Sequence, residues 1–137
     1  MTKYNSLEKD IHSVFASVEW QAEDIKTFPQ NFIGSVVGDE YIRFALVASG
    51  NNTANIPRST AGLVMVDIFV PAGAGYARAT QIADKLDKYL AGKSLKTTVY
   101  GNTQLGSSNL SPRGADTANP SLFRASYSVP FNFFGVR

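Results

Sequence analysis

The stretch 61-AGLVMVDIFVPAGAGYARATQIADKLDKYLAGK-93 decides the architecture. Its opening residues put Val64, Val66, Ile68 and Val70 on one face of an extended chain and Leu63, Met65, Asp67 and Phe69 on the other. Apolar side chains on both faces predict a central or doubly covered strand. The period then changes. Ala79, Ile82, Ala83, Leu86, Tyr89 and Leu90 recur at helical spacing, with Arg78, Asp84, Lys85, Asp87 and Lys88 elsewhere on the wheel, which predicts a helix over 76–91. Asp84 and Lys88 form a favourable i, i+4 pair, and Gly92 stands at the C′ position.

Between strand and helix runs 70-VPAGAGYARA-79, a junction of the kind that cradles phosphates at a helix N-terminus. A dinucleotide fingerprint requires a small residue where this chain has Arg78, and an acid at the end of the following strand, where 93–102 has none. No Lys-Ser or Lys-Thr follows the glycines, so the phosphate-loop pattern fails as well. The structural reading suffices: proline ends the strand and the glycines allow a tight turn. A small nucleotide-binding protein using the Gly73/Gly75 turn remains the lesser alternative.

Downstream, 95-LKTTVY-100 predicts a short strand, and the strand–helix–strand order predicts a right-handed crossover with 61–70 and 95–100 parallel. Residues 101–120 contain only Leu105 and Leu110 as large apolar side chains and are expected to form a long polar loop. The final segment, 121-SLFRASYSVPFNFFGVR-137, alternates cleanly, with Phe123, Ala125, Tyr127, Val129, Phe131 and Phe133 on one face. Pro130 cannot donate to a ladder, so this strand lies at an edge or its pairing lapses there. Its aromatics either lie under the helices or meet a neighbouring subunit.

Upstream, Leu7, Ile11, Val14, Phe15 and Val18 predict a helix over 5–18, with Asn5 and Glu8 as a capping box. Residues 19–25 read as a short strand or irregular segment ahead of Pro29. Residues 40–48 alternate as a strand, and 49–60 form a second polar loop. The order α-β-β-β-α-β-β predicts an α+β fold: a mixed sheet of about four to five strands packed with two main helices, in a single domain over 1–137.

Composition mainly excludes. The 137 residues contain no cysteine, which removes disulfides, thiolate metal sites and cysteine nucleophiles. Thirteen basic and eleven acidic side chains give a net charge of +2, scattered along the chain, so no nucleic-acid footprint is visible. The N-terminus has no apolar h-region and no segment reaches membrane-spanning length, so a cytoplasmic chain with no membrane partner is expected. Only 18% of residues are charged while 12% are aromatic, thin polar cover for a lone monomer.

Candidate chemistry is sparse. His12 is the sole histidine and sits one position off the apolar stripe of its helix. The acids Glu23-Asp24 and Asp39-Glu40 are sequence neighbours, which strands point to opposite faces and loops leave solvated. Asp67 interrupts an apolar strand face, so a pairing with Arg43 or Arg124, or one across a subunit boundary, is expected. No catalytic residue, cofactor or metal is expected.

A short N-terminal helix, then 62-GLVMVDIFVPAGAGYARATQIADKLDKYLAGK-93, then a strand, a polar loop and an aromatic C-terminal strand, resembles the tail terminator (tail completion) proteins of long-tailed, siphovirus-like bacteriophages. The sharp part is the strand ending in V-P-A-G, followed by Gly75, Ala79, Ile82, Ala83, Asp84 and Leu86. The resemblance implies a virion assembly protein rather than an enzyme. Its subunits would close into a ring, a hexamer, that caps the tail tube, ends its polymerisation and presents a surface to the head. It also implies tail tube and head-completion or connector proteins as partners, and a place at the virion neck after assembly in the host cytoplasm. DNA would pass through such a ring without sequence-specific recognition. The alternatives are another neck protein or a tail-tube subunit. Ring closure needs heterologous contacts, for which the candidates are Leu63, Met65, Asp67, Phe69, Phe131 and Phe133. Arg58 and Arg113, in the two expected loops, are candidates for contacts at the ends of the ring.

Overall fold

The computed structural model describes residues 3–29, 40–50, 60–73, 75–97, 99, 101–115 and 122–135. Three helices, α1 (Lys3–Ala16), α2 (Val18–Gln21) and α3 (Gly75–Tyr89), accompany seven strands. These are β1 (Thr27–Pro29), β2 (Tyr41–Gly50), β3 (Thr60–Pro71), β4 (Ser94–Leu95), β5 (Gly101–Leu105), β6 (Asn109–Ala115) and β7 (Leu122–Gly135). The strand order is β1-β2-β3-β7-β5-β4, with β6 also paired to β7. Only β1 and β2 run parallel; the other pairs are antiparallel. The α+β mixed sheet expected from the sequence is present, with more strands than the four to five expected.

The alternation read from the sequence sets the core. Val64, Val66, Ile68 and Val70 of β3 are all fully buried, as are Ala125, Tyr127, Val129, Phe131 and Phe133 of β7 beside them. Leu7, Ile11, Val14 and Phe15 of α1 and Ala79, Ile82, Ala83 and Leu86 of α3 lie over that face in the same cluster. Each of the valine, leucine, isoleucine and phenylalanine side chains among them contributes about 1.5–3 kcal/mol by leaving water, and each alanine less. Helix α3 ends where expected: Gly92 adopts a φ of +71°, and its N–H donates to the Gly106 carbonyl at 3.0 Å.

Several expectations are corrected. The segment 101–120 is not a polar loop, since β5 and β6 occupy 101–105 and 109–115; residues 116–121 and 51–59 lie outside the described residues. Threonine and glutamine carry β5, and flanking the long β7 supplies the pairing that its own composition does not advertise. The strand after α3 is only Ser94–Leu95, and it pairs antiparallel with β5 at the sheet edge. The parallel crossover to 95–100 is therefore absent: the chain turns back first, and β5 runs in the direction of β3 with β7 between them. Segment 19–25 holds the α2 turn, not a strand. Ser17 caps it by accepting from the Trp20 N–H at 3.2 Å, and the Trp20 indole N–H donates to Thr27 Oγ1 at 2.9 Å. Helix α1 begins at Lys3, so Asn5 lies inside it rather than capping it, and Val18 belongs to α2.

Pro130 resolves its own alternative. Strand β7 is central, but β5 pairs with Phe131 to Gly135 and β6 with Phe123 to Ser128, so on that flank pairing passes from one strand to the other at the proline. The Pro130 carbonyl accepts from Gly106 N–H at 2.9 Å in the gap. No ladder donor is missed there.

Candidate interaction face

Both large helices cover one face of the sheet, and the alternation that buries Val64 to Val70 sends Leu63, Met65, Asp67 and Phe69 to the other. Register fixes their neighbours on that face. Phe69 lies between Tyr41 and Arg124, Asp67 between Arg43 and Ser126, Met65 between Ala45 and Ser128, and Leu63 between Val47 and Pro130. Strand β6 extends the rows with Ser111 beside Ser126 and Asn109 beside Ser128.

At one end the face is aromatic. Tyr41 and Phe69 stack with centroids 4.5 Å apart, Phe28 meets Tyr41 edge-on at 5.8 Å, and Leu122 completes a small buried cluster. At the other end it is aliphatic, with Val47 at 45% and Leu63 at 37% exposure. Charge lies between. Arg124 Nη2 donates to Asp67 Oδ1 at 3.0 Å, so the acid takes Arg124 of its two expected partners. Ser126 Oγ also donates to Asp67 Oδ1, at 3.3 Å, and accepts from Arg113 Nε at 3.2 Å.

Arg43 stands directly opposite Asp67 without an ion pair among the described residues. Its guanidinium carbon lies 5.9 Å from the Tyr41 centroid and 5.7 Å from that of Phe69, while that of Arg124 lies 5.9 Å from Phe69. Nε of Arg43 and Nε of Arg124 are both buried without a hydrogen-bond partner. One carboxylate thus shares its face with three arginines: Arg124 pairs with it, Arg43 lies opposite it in register, and Arg113 reaches it through Ser126. The arrangement presents fork-shaped donors held on aromatic faces, suited to accepting a carboxylate or phosphate oxygen.

The sequence candidates separate cleanly. Leu63, Met65, Asp67 and Phe69 share this face, although Phe69 is buried beneath the arginines. Arg113 joins them on β6, next to a register shift at which Gly114 has a φ of +86°, rather than standing on a loop. Phe131 and Phe133 do not belong here. Each is 1% exposed and packed under the helices, because their strand parity matches Val129 and Tyr127. Arg58 lies outside the described residues. Asp67 is legible in the sequence as an acid on an apolar strand face with Arg43 or Arg124 as its partner; the net positive excess around it emerges from strand order, which is not written in local spacing.

The remaining candidates have structural occupations. Arg78 makes a two-point ion pair with Glu40, Nε to Oε1 at 2.5 Å and Nη2 to Oε2 at 2.7 Å, and also donates to Gln81 at 3.0 Å. Its hydrogen bond to Glu40 raises its pKa further. Gly73 has no positive φ, and a Cβ there would meet nothing within 4 Å, so the turn does not require glycine at that position. Glu23 binds Lys88 at 3.1 Å, Lys85 at 3.5 Å and the Tyr89 hydroxyl at 2.8 Å, so Lys88 reaches across to the segment that follows α2. The Tyr89 hydrogen bond, then Lys88, hold the Glu23 carboxyl below its usual range. His12 packs edge-on against Phe44 at 5.0 Å in the helical layer, so no imidazole stands near Ser126 and Asp67. Among the described residues, no three metal-ligating side chains come together and no helix is long and apolar enough to cross a membrane.

The fold sets helices on one side of the sheet and a face with both arginine and aliphatic side chains on the other. The phage tail terminator protein family model matches residues 11–131, and the chain belongs to that family. The family is one of phage tail structural proteins, not an enzyme class. No curated protein matches significantly. Among solved structures, one is 15% identical, with TM-score 0.66 over 98% of this chain and 94% of its own. A second, from the virion of a native gene transfer agent particle, is 14% identical, with TM-score 0.64 over 96% of each chain. At such identities these two likenesses speak for the fold.

Proposed function

We propose that this protein closes into a ring, a hexamer, on the end of the tail tube, where it stops polymerisation and offers a surface for head joining at the neck. The observation that carries the reading is the family match across 11–131; the gene transfer agent virion structure, a particle component of the same fold, supports it. Geometry adds a reason. A two-layer subunit with helices on one side and an open, cationic and apolar sheet face on the other offers different surfaces front and back, which is what a heterologous, closing contact needs. Leu63, Met65, Asp67 and Arg113 are proposed contact residues on that face. The tube and head-completion proteins are the proposed axial partners, and the ring leaves DNA a passage.

Tail assembly with and without the protein tests the reading. Tails of unregulated length are expected in its absence, imaged by negative stain, and purified protein is expected to form discrete rings or caps that never elongate. Tails of normal fixed length without the protein would reject the terminator role; long tubes of the purified protein would make it a tube subunit.

A further inference from the structure

We propose that the open sheet face of one subunit receives the α1–α2 corner of a second copy, with Val18 seated on Met65 and Leu63 and Glu19 facing Arg43. The proposal rests on the ring reading above and names the two surfaces that close the ring.

The composition of the face selects a protein occupant. Strands β2, β3, β6 and β7 carry three arginines, Arg43, Arg113 and Arg124, no lysine and the single acid Asp67. Arginine, methionine and aromatic side chains without lysine, beside exposed Val47 and Leu63, make the pattern of a protein contact. A phosphate backbone would find charge here but nothing to cover the aliphatic end. The charge excess calls for a carboxylate, and the aliphatic end calls for an apolar group next to it.

The chain itself displays such a pair. Val18 is 80% exposed, the most of any large apolar side chain among the described residues, and the exposed Glu19 follows it with no ion pair among them. The corner is held rigid from beneath. Trp20 is buried with edge-on contacts to Phe15 and Tyr89 at 5.4 and 5.5 Å, Gln21 Nε2 donates to the Phe15 carbonyl at 3.0 Å, and Ser17 caps the turn. Little ordering entropy is lost on docking. The Met65 row lies roughly 7 Å from the Arg43–Asp67 row, two strand residues at about 3.4 Å each, so the apolar and the acidic group of an occupant must lie about that far apart. The corner belongs to the helical layer and the face to the opposite side of the sheet, so the contact is head-to-tail.

The absence of native cysteine gives a direct test. Val18→Cys and Met65→Cys are placed together in one chain and separately in two others, and each protein is assembled onto tails and treated with a short bis-maleimide. The double variant is expected to give a ladder of covalent multimers, and the single variants none. No ladder from the double variant on assembled tails, or a ladder from Val18→Cys alone, overturns the proposal. Arg43→Glu and Glu19→Arg, each checked for a native melting transition, are each expected to lower tail capping by roughly tenfold or more, and the combined swap to restore it. Retention of duplex DNA that depends on Arg43, without a ladder, overturns it in favour of phosphate binding. Tails of correct length without a ladder reject this docking alone, whereas correct lengths in the absence of the protein reject the terminator role.

Discussion

The Asp10 carboxylate, buried on α1, accepts from the buried Thr103 hydroxyl at 2.7 Å and so ties the first helix to β5 across 93 residues of chain. Its other oxygen accepts from the Thr97 N–H at 2.8 Å and the Thr97 hydroxyl at 2.6 Å. Three donors converge on one acid that has no ion pair among the described residues, so these hydrogen bonds replace the water lost on burial. Asp10→Ala strands the Thr103 hydroxyl and is expected to cost about 1.5–3 kcal/mol. Asp10→Asn, which keeps one acceptor, is expected to cost less. Urea midpoints at neutral pH check the order; equal losses would mean that the charge and not the hydrogen-bond geometry matters.

Two glycines separate by environment. A Cβ at Gly101 would collide with the Phe134 carbonyl oxygen and with the end of the Phe133 ring, at 2.6 Å, whereas one at Gly73 meets nothing within 4 Å. Gly101→Ala is expected to destabilise by about 1–3 kcal/mol, the usual cost of forcing extra atoms into a packed site. Gly73→Ala is expected to be neutral, or stabilising by up to about 1 kcal/mol through the unfolded chain. Thermal melts of the pair distinguish them. A large loss at Gly73 would revive a special role for that turn.

Leu86 tests the packing of α3 on the sheet. It is fully buried on the stripe with Ala79, Ile82 and Ala83. Leu86→Ala is expected to cost about 2–5 kcal/mol, while the exposed Asp84→Ala changes stability by less than about 0.5 kcal/mol. Denaturant unfolding measures both.

Where a side-chain pattern repeats along one element, the sequence was readable: Val64 to Val70, the α3 stripe and the alternation of β7 all sit as periodicity required. Pairing partners were less so. Residues 101–115 look like a loop because Gly101, Gly106 and Pro112 punctuate them and their polar side chains face outward or satisfy Asp10; only the flank of β7 makes them strands. The same long-range pairing brings Arg43, Arg113 and Arg124 to one face from strands far apart in sequence, which no local window contains. The aromatic abundance of the last strand suggests Phe131 and Phe133 as subunit contacts, but their parity with Val129 commits them to the interior.

Alkaline stability carries the last test. Tyr127 donates its hydroxyl to Asp87 at 2.6 Å, and burial, followed by that hydrogen bond, pushes its phenol well above the ordinary value of 10.0. Tyr89 is raised too, first by its hydrogen bond to Glu23. A tyrosine with a raised folded pKa holds its proton while the unfolded chain loses it, so its stabilising contribution is complete below pH 10 and declines as pH rises beyond. Glu23 runs opposite: with its folded pKa depressed, its contribution is present above 4.5 and fades as pH falls. The wild type is therefore expected to lose stability above pH 10, and Tyr127→Phe to be less stable at pH 7 but to show a shallower alkaline decline. Urea unfolding from pH 7 to 11 measures both slopes, and parallel curves for the two proteins would exclude Tyr127 as the titrating group.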